Sequence, residues 1–254
     1  MAVTGSKRIL ALKKRKARER EGAFLIEGMR LCEEALKAEG ATEQLVFARD
    51  MLDRNERLAA LHKTARDAGV MVQMTDRRAM KGMCETETPQ GVVGVAKEPI
   101  WDRDEVINCG KPLLILDEVR DPGNLGTILR TAEGSGAGGL FLLKGSVELL
   151  NPKVVRSTAG SIFRFPVLTD QRGGSLLDDL KRAGVMVFAT DTEGKLFSTL
   201  DYSRPHAFLL GNEAFGVNPE LLAKADQMVS IPMTGPVNSL NVAVAAGILL
   251  YAKS

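Results

Sequence analysis

Leu113-Leu114-Ile115-Leu116-Asp117-Glu118-Val119-Arg120-Asp121-Pro122-Gly123-Asn124-Leu125-Gly126 carries an apolar run into a polar loop and then into a helical pattern. Leu113–Leu116 reads as a strand buried on both faces, as strands of parallel sheets are. Gly123–Glu133 has amphipathic helical spacing and stops at a glycine cluster. The alternation continues to the end of the chain. Leu140–Leu143 is a strand, Pro152–Thr158 a helix opened by Asn151 and Pro152, and a strand lies near Phe165–Leu168. Helix Ser175–Ala183, strands Val185–Ala189 and Ala207–Leu210, helix Pro219–Lys224 and strand Met228–Ile231 follow, then a nearly all-apolar helix from about Ser239 to Ala252. Such a series predicts an α/β fold with a mostly parallel sheet covered on both faces, and the last helix is expected to be buried.

The first hundred residues predict a smaller α/β unit. Its strands are Ala23–Ile26, Leu45–Phe47, Val70–Met74 and Gly91–Ala96; its helices are Met29–Glu39, a segment from Asn55 to Ala68, and Asp76–Met83. Lys97–Lys111 has no clear period and carries Pro99, Trp101 and Gly110, which marks a domain boundary. The expected division is 1–100, a linker over 101–111, and 112–254.

A chain of 254 residues, 44% hydrophobic and 26% charged, matches an ordinary globular protein of one large or two small domains. No apolar run reaches the roughly 18 residues of a membrane span. Ile9–Leu12, walled in by basic residues, is too short for a signal core. The expected location is cytoplasmic, unless a transit segment lies outside this sequence. Cys32, Cys84 and Cys109 form no close-spaced pair, and His62 and His206 are the only histidines, so neither a metal centre nor a His-based triad is expected.

Net charge is +2, but the first hundred residues hold most of the excess of base. Lys7–Arg20 contains Lys7, Arg8, Lys13, Lys14, Arg15, Lys16, Arg18 and Arg20 against the single acid Glu19. Such a run would supply phosphate contacts and make RNA binding salt-dependent. A solvated helix is the competing reading.

Gly134-Ser135-Gly136-Ala137-Gly138-Gly139 matches G-x-G-x-x-G, the dinucleotide fingerprint, but it follows a helix and precedes a strand. A helix C-terminus repels a pyrophosphate, so a helix stop and close-packed turn is the better reading. More informative are three polar loops that each leave an apolar strand: Asp117–Gly126, Gly211-Asn212-Glu213-Ala214-Phe215-Gly216, and Ile231-Pro232-Met233-Thr234-Gly235-Pro236-Val237-Asn238-Ser239-Leu240-Asn241. Ligands of parallel α/β sheets gather at such strand ends.

In order and spacing these loops resemble the three motifs of the SpoU class of SPOUT RNA methyltransferases. Asp121-Pro122-x-Asn124-x-Gly126-x-x-x-Arg130-x-Ala132 resembles the first, Gly211-Asn212-Glu213 the second, and Ile231-Pro232-Met233 through Ser239-Leu240-Asn241-Val242 the third. The N-terminal hundred residues resemble that family's substrate-binding domain, itself similar to small RNA-binding ribosomal proteins, through Phe24-x-x-Glu27-Gly28 and Pro89-Gln90-Gly91-Val92. Ala214 departs from the pattern, which usually has glycine there.

The resemblance implies a knotted (trefoil) SPOUT catalytic domain behind an α/β RNA-binding domain, working as a homodimer. The implied reaction moves a methyl group from S-adenosylmethionine to a ribose 2′-hydroxyl of RNA, with rRNA favoured over tRNA by the separate N-terminal domain. A non-catalytic RNA-binding member and a base methylase of the same fold are the rivals. It implies that Thr190, Gly211, Ile231 and Leu240 hold the cofactor, and that Asn124, Arg130, Glu213, Ser239 and Asn241 surround the ribose and its phosphate. A guanidinium almost never deprotonates in proteins, so Arg130 is expected to clamp phosphate rather than act as base. Asn124 and Arg130 are expected close together on one helix surface.

Overall fold

The computed structural model describes residues 5–236 and 239–252. The chain divides into two compact units, Met1–Ile100 with Leu149–Arg164, and Trp101–Glu148 with Phe165–Ser254. In chain order the first unit holds α1 (Gly5–Leu12), α2 (Arg15–Glu21), β1 (Ala23–Glu27), α3 (Met29–Lys37), β2 (Thr42–Ala48), α4 (Arg49–Leu52), α5 (Glu56–Asp67), β3 (Met71–Thr75), α6 (Arg77–Met83) and β4 (Val92–Lys97). The second begins with α7 (Arg103–Ile107), β5 (Leu113–Leu116), α8 (Pro122–Ser135) and β6 (Gly139–Leu143). Next comes α9 (Pro152–Ser157), which belongs with the first unit and packs on β1, where Phe163 stacks on Phe24 at 5.8 Å between ring centroids. The chain then runs through β7 (Val167–Gln171), α10 (Gly173–Arg182), β8 (Met186–Leu196), β9 (His206–Leu210), α11 (Pro219–Lys224), β10 (Gln227–Ser230) and α12 (Val242–Leu250).

The first unit's sheet has the order β1-β4-β2-β3, with β4 antiparallel to both neighbours and β2 parallel to β3. Local chemistry places its helices. The Asn55 side chain accepts the Leu58 N–H at the start of α5, and Asp76 accepts the Ala79 N–H at the start of α6. Phe24-x-x-Glu27-Gly28 and Pro89-Gln90-Gly91 meet in space. The Glu27 carboxylate accepts the N–H groups of Glu85 and Thr86 and the Thr86 hydroxyl, and Gln90 Oε1 accepts the Met29 N–H at 2.9 Å. These motif residues tie the loop before β4 to the end of β1.

The basic run is folded rather than loose. Ile9, Leu12 and Ala17 are buried against β1, β2 and α6 residues in one core. Its charges are partly answered from within the unit. Arg8 pairs with Glu21 at 3.0 Å and Glu43 at 2.6 Å, Lys13 bonds the Gly82 and Cys84 carbonyls and pairs with Glu85, and Arg15 pairs with Glu19. Arg18 corrects the expectation of an RNA contact there: it is 3% exposed and donates to the Leu12 and Lys13 carbonyls, both at 2.8 Å. It closes the turn between α1 and α2. Arg18→Met keeps the aliphatic stem but leaves two carbonyls unanswered, so it should lower unfolding stability by about 1–3 kcal/mol in chemical denaturation. Lys7, Lys14 and Lys16 remain exposed.

The second unit's sheet is parallel throughout, in the order β10-β8-β9-β5-β6-β7. β5, β6 and β9 are buried along their whole length, which is why, His206 at the start of β9 apart, their sequences hold nothing polar. The chain leaves β5 toward β6 on one side and reaches β9 on the other. The carboxyl ends of β5 and β9 therefore open the crevice where such sheets bind ligands. The glycine cluster is a stop and a close turn. Gly136, at φ 76°, caps α8, and a Cβ on Gly138 or Gly139 would meet Cys109 Sγ at 2.2 Å or Val106 Cγ1 at 2.6 Å.

Two expectations change here. β8 is 11 residues long, not five, because its polar second half rejoins β10: Met228 pairs with Ala189, but the next residue, Val229, pairs with Lys195. Residues 190–194 bulge out at the crevice. The apolar α12 is buried on one face only, through Val242, Ala243, Ala246, Leu249 and Leu250, while Val244 is 51% exposed. It packs against α8 and β9, and its Val244 side is exposed among the described residues.

Candidate active site

At the carboxyl ends of the strands lies a cavity of about 600 Å³, lined by the bulge after Ala189, the loop after β9, the segment after β10 and the first turns of α12. Gly211 fixes its shape. A Cβ there would stand 2.1 Å from the carbonyl carbon and oxygen of Gly216 and 2.2 Å from the Val217 nitrogen. The loop folds back onto Gly211 because Asn212 and Gly216 exchange both backbone hydrogen bonds, at 3.0 and 2.8 Å. Asn212 Oδ1 accepts the Ala214 N–H, and the left-handed residue of the turn is Gly216, at φ 70°. Ala214 is not in the left-handed region, so alanine there costs no strain.

A directed chain of side-chain hydrogen bonds runs along one edge of the cavity. The Ala243 and Val244 N–H groups, at the start of α12, donate to Asn241 Oδ1 at 2.9 and 3.4 Å. Asn241 Nδ2 then donates to Asn124 Oδ1 at 2.9 Å, and Asn124 Nδ2 to Glu213 Oε1 at 2.6 Å. Both ends dictate the direction: a backbone N–H can only donate, and an ionised carboxylate can only accept. Asn124 is itself set by the first turn of α8, where Asp121 caps the helix and accepts the Asn124 N–H at 2.8 Å. Three loops far apart in sequence thus converge on one exposed carboxylate.

Thr190, Gly211, Ile231 and Leu240 all line the cavity, as do Glu213 and Ser239. The Thr190 hydroxyl donates to the Leu209 carbonyl at 3.2 Å, which pins the start of the bulge to β9. Asn124 and Asn241 do not line the cavity themselves and connect to it through the bond from Asn124 to Glu213. Asn238, in the third loop, lies outside the described residues. Arg130 is not brought in. It lies six residues beyond Asn124, about 9 Å along the helix and roughly 120° around it. It is exposed, lines no part of the cavity and has no hydrogen bond or ion pair among the described residues. The expected closeness of Asn124 and Arg130 on one helix surface does not hold within a single chain.

Sequence reasoning passed over Asp117. It is 7% exposed at the end of β5, and its carboxylate accepts the Asn218 N–H at 2.9 Å. Burial pushes its carboxyl above the ordinary aspartate range, the Asn218 N–H pulls it back, and the negative charge of Glu118 adds to the rise. Next to it, Glu118 takes a left-handed φ of 52° and its carbonyl accepts the Asn212 amide at 3.0 Å. Together these bonds clamp both ends of the Gly211–Asn218 loop to the end of β5. The signal available in the sequence was an acidic residue directly after four apolar strand residues.

Similarity to known proteins identifies the family. The model of the SpoU rRNA Methylase family matches residues 111–251, more than half the chain. The chain belongs to that family. The MRM3-like substrate binding domain matches residues 6–94. The 23S rRNA (guanosine(2553)-2′-O)-methyltransferase RlmP of Bacillus subtilis (strain 168) is 36% identical over 238 residues, covering 93% of this chain and 90% of its own length. Among solved structures, the AdoMet-bound rRNA methyltransferase from Sinorhizobium meliloti is 32% identical with a TM-score of 0.81, over 97% of this chain and 92% of that one. The SpoU methyltransferase AviRb from Streptomyces viridochromogenes, in complex with the cofactor AdoMet, is 28% identical with a TM-score of 0.85, over 98% and 96%. In this SpoU family member the three loops meet at the carboxyl ends of the parallel strands. Among the described residues no helix is long and apolar enough to cross a membrane.

Proposed function

We propose that this protein transfers a methyl group from S-adenosylmethionine to a ribose 2′-hydroxyl of rRNA. The observation that carries the reading is the one-way hydrogen-bond chain from α12 through Asn241 and Asn124 to Glu213, at the edge of a cavity of about 600 Å³. The cavity fits the cofactor: its volume is that of a small-molecule site, Ile231, Leu240, Val242 and Ala245 offer apolar walls, and the Gly211 backbone is bare of any Cβ. When bound, S-adenosylmethionine supplies an electrophilic methyl on a sulfonium, and no metal is required.

The residues of this chain do the positioning. Gly211, Ile231, Leu240 and the Thr190 backbone hold the cofactor in the cavity. Glu213, with one oxygen fixed by Asn124, accepts the ribose hydroxyl's hydrogen bond with its other oxygen and so aims the hydroxyl oxygen in line with the methyl. Ser239 and Asn241 border the same ribose. Arg130 clamps the neighbouring phosphate and lowers the hydroxyl pKa. Because it does not reach the cavity of its own chain, it serves the site of a second copy, and the uncovered Val244 side of α12 beside α8 is the matching homodimer surface. The RlmP relative, an enzyme acting on 23S rRNA by its name, covers nearly the whole chain and favours rRNA over tRNA.

In the first unit Lys7, Lys14 and Lys16 supply phosphate contacts. Replacing all three with alanine should raise the RNA KM about three- to tenfold at physiological salt, leave kcat within twofold, and flatten the slope of log KM against log salt by roughly two to three. An unchanged KM and slope would remove the run from the RNA interface. The reading as a whole is tested by incubating the protein with radiolabelled S-adenosylmethionine and unmodified rRNA and tRNA transcripts. Label in rRNA is expected. Label in tRNA alone would overturn the rRNA assignment, and label in neither would count against methyl transfer to naked RNA.

A further inference from the structure

Phe215 is 85% exposed, although it sits in a loop closed by a pair of backbone hydrogen bonds. The Asn212–Gly216 backbone pair closes the loop, Gly211 packs beneath it, and the Asn212 amide fastens it to the Glu118 carbonyl. The ring is therefore held out on a rigid support, two residues from the Glu213 carboxylate, at the mouth of the cavity. Aromatic residues make up only 5% of the chain, and the other phenylalanines of the second unit's sheet, Phe141, Phe188 and Phe208, are fully buried.

We infer that Phe215 is a stacking platform for a nucleobase adjoining the target ribose, a substrate-positioning residue for the methyl transfer proposed above, on which this inference rests. Three features select this occupant. The ring's chain neighbours in the loop, Asn212, Glu213, Ala214 and Gly216, are polar or small, whereas the core of a protein interface is a contiguous apolar patch. An exposed ring set in a loop of hydrogen-bonding groups is instead the composition of a base-stacking site in single-stranded RNA recognition. The cofactor cavity is walled by Ile231, Leu240 and Val242, so a ring this exposed stands at its outer rim, open to solvent. Any base has a π-face, so the platform tolerates sequence and orients the nucleotide rather than reading it.

Two measurements separate this role from the methyl-transfer reading. In steady-state methylation of 23S rRNA transcript, Phe215→Ala should raise the RNA KM roughly tenfold, with Phe215→Trp close to wild type. S-adenosylmethionine affinity, measured by calorimetry, should be unchanged in both. Independently of turnover, Phe215→Trp titrated with single-stranded oligoadenylate should lose fluorescence well beyond the change shown by wild type, whose single tryptophan is Trp101. Quenching without any methylation would sustain the platform and sink the reaction. No extra quenching, a Phe215→Ala defect confined to cofactor affinity, or a shift of Phe215→Ala from dimer to monomer in sedimentation would each overturn the platform, the last in favour of a protein contact.

Discussion

Asn124→Asp should lower kcat for RNA methylation about a hundredfold or more while S-adenosylmethionine binds as before. Asn124, like Asn241, donates on one side and accepts on the other, and it is the member whose amide N–H meets Glu213. An aspartate keeps the shape and still accepts from Asn241, but it offers Glu213 a second carboxylate at 2.6 Å in place of an amide N–H. Two carboxylates so close cannot both ionise, so one takes a proton or they move apart. Either outcome releases the Glu213 oxygen from its fixed position, and a displacement of about 1 Å at a reacting group costs about a hundredfold. The cap on α8 survives, because Asp121 accepts from the backbone N–H of residue 124. Stability in thermal melts should therefore stay close to wild type. A variant that loses cofactor binding instead would place Asn124 in the cofactor site and contradict the division of roles.

Gly211→Ala is the second large effect. Its methyl would have to occupy space 2.1 Å from the Gly216 carbonyl and 2.2 Å from the Val217 nitrogen, both backbone atoms. No side-chain rotation relieves that contact, so the Asn212–Gly216 pair must open and Glu213 moves with it. Cofactor affinity should fall at least tenfold and kcat/KM about a hundredfold, measured by calorimetry and steady-state kinetics. Gly216→Ala provides the contrast. Nothing lies within 4 Å of a Cβ there, so it meets only the backbone penalty of φ 70°, about 1–2 kcal/mol. Its kinetic loss should be much smaller than that of Gly211→Ala. If the two variants are equally impaired, close approach of backbone at Gly211 is not what shapes the cavity.

Much of the second unit was legible in the sequence for identifiable reasons. Leu113–Leu116 admits no reading but a doubly buried strand, and Pro122 and Gly136 bracket α8 with opposite backbone preferences. Misreading the Gly134–Gly139 cluster as a nucleotide loop was avoidable because its place after a helix is a matter of order. What stayed hidden depends on partners distant in the chain. The pairing of Lys195 and Leu196 with β10 is invisible in a polar run, since nothing in Thr192–Lys195 resembles a strand until Val229 is beside it. Arg8 and Lys13 look available for phosphate until Glu43 and Glu85 arrive from other elements. Leu149–Arg164 reads as an ordinary crossover between β6 and β7, and only the contact of α9 with β1 assigns it to the first unit. Of the site, the motif residues were readable by resemblance, whereas the direction of the Asn241–Asn124–Glu213 chain and the separation of Arg130 needed coordinates.

The central claim is that the acceptor atom is a ribose oxygen. Alkaline hydrolysis of rRNA labelled by this protein from radioactive S-adenosylmethionine tests it most directly, because a 2′-O-methyl group blocks cleavage of the adjoining phosphodiester. Label in alkali-resistant dinucleotides is expected. Label released in mononucleotides would mean that a base is methylated, and would contradict it.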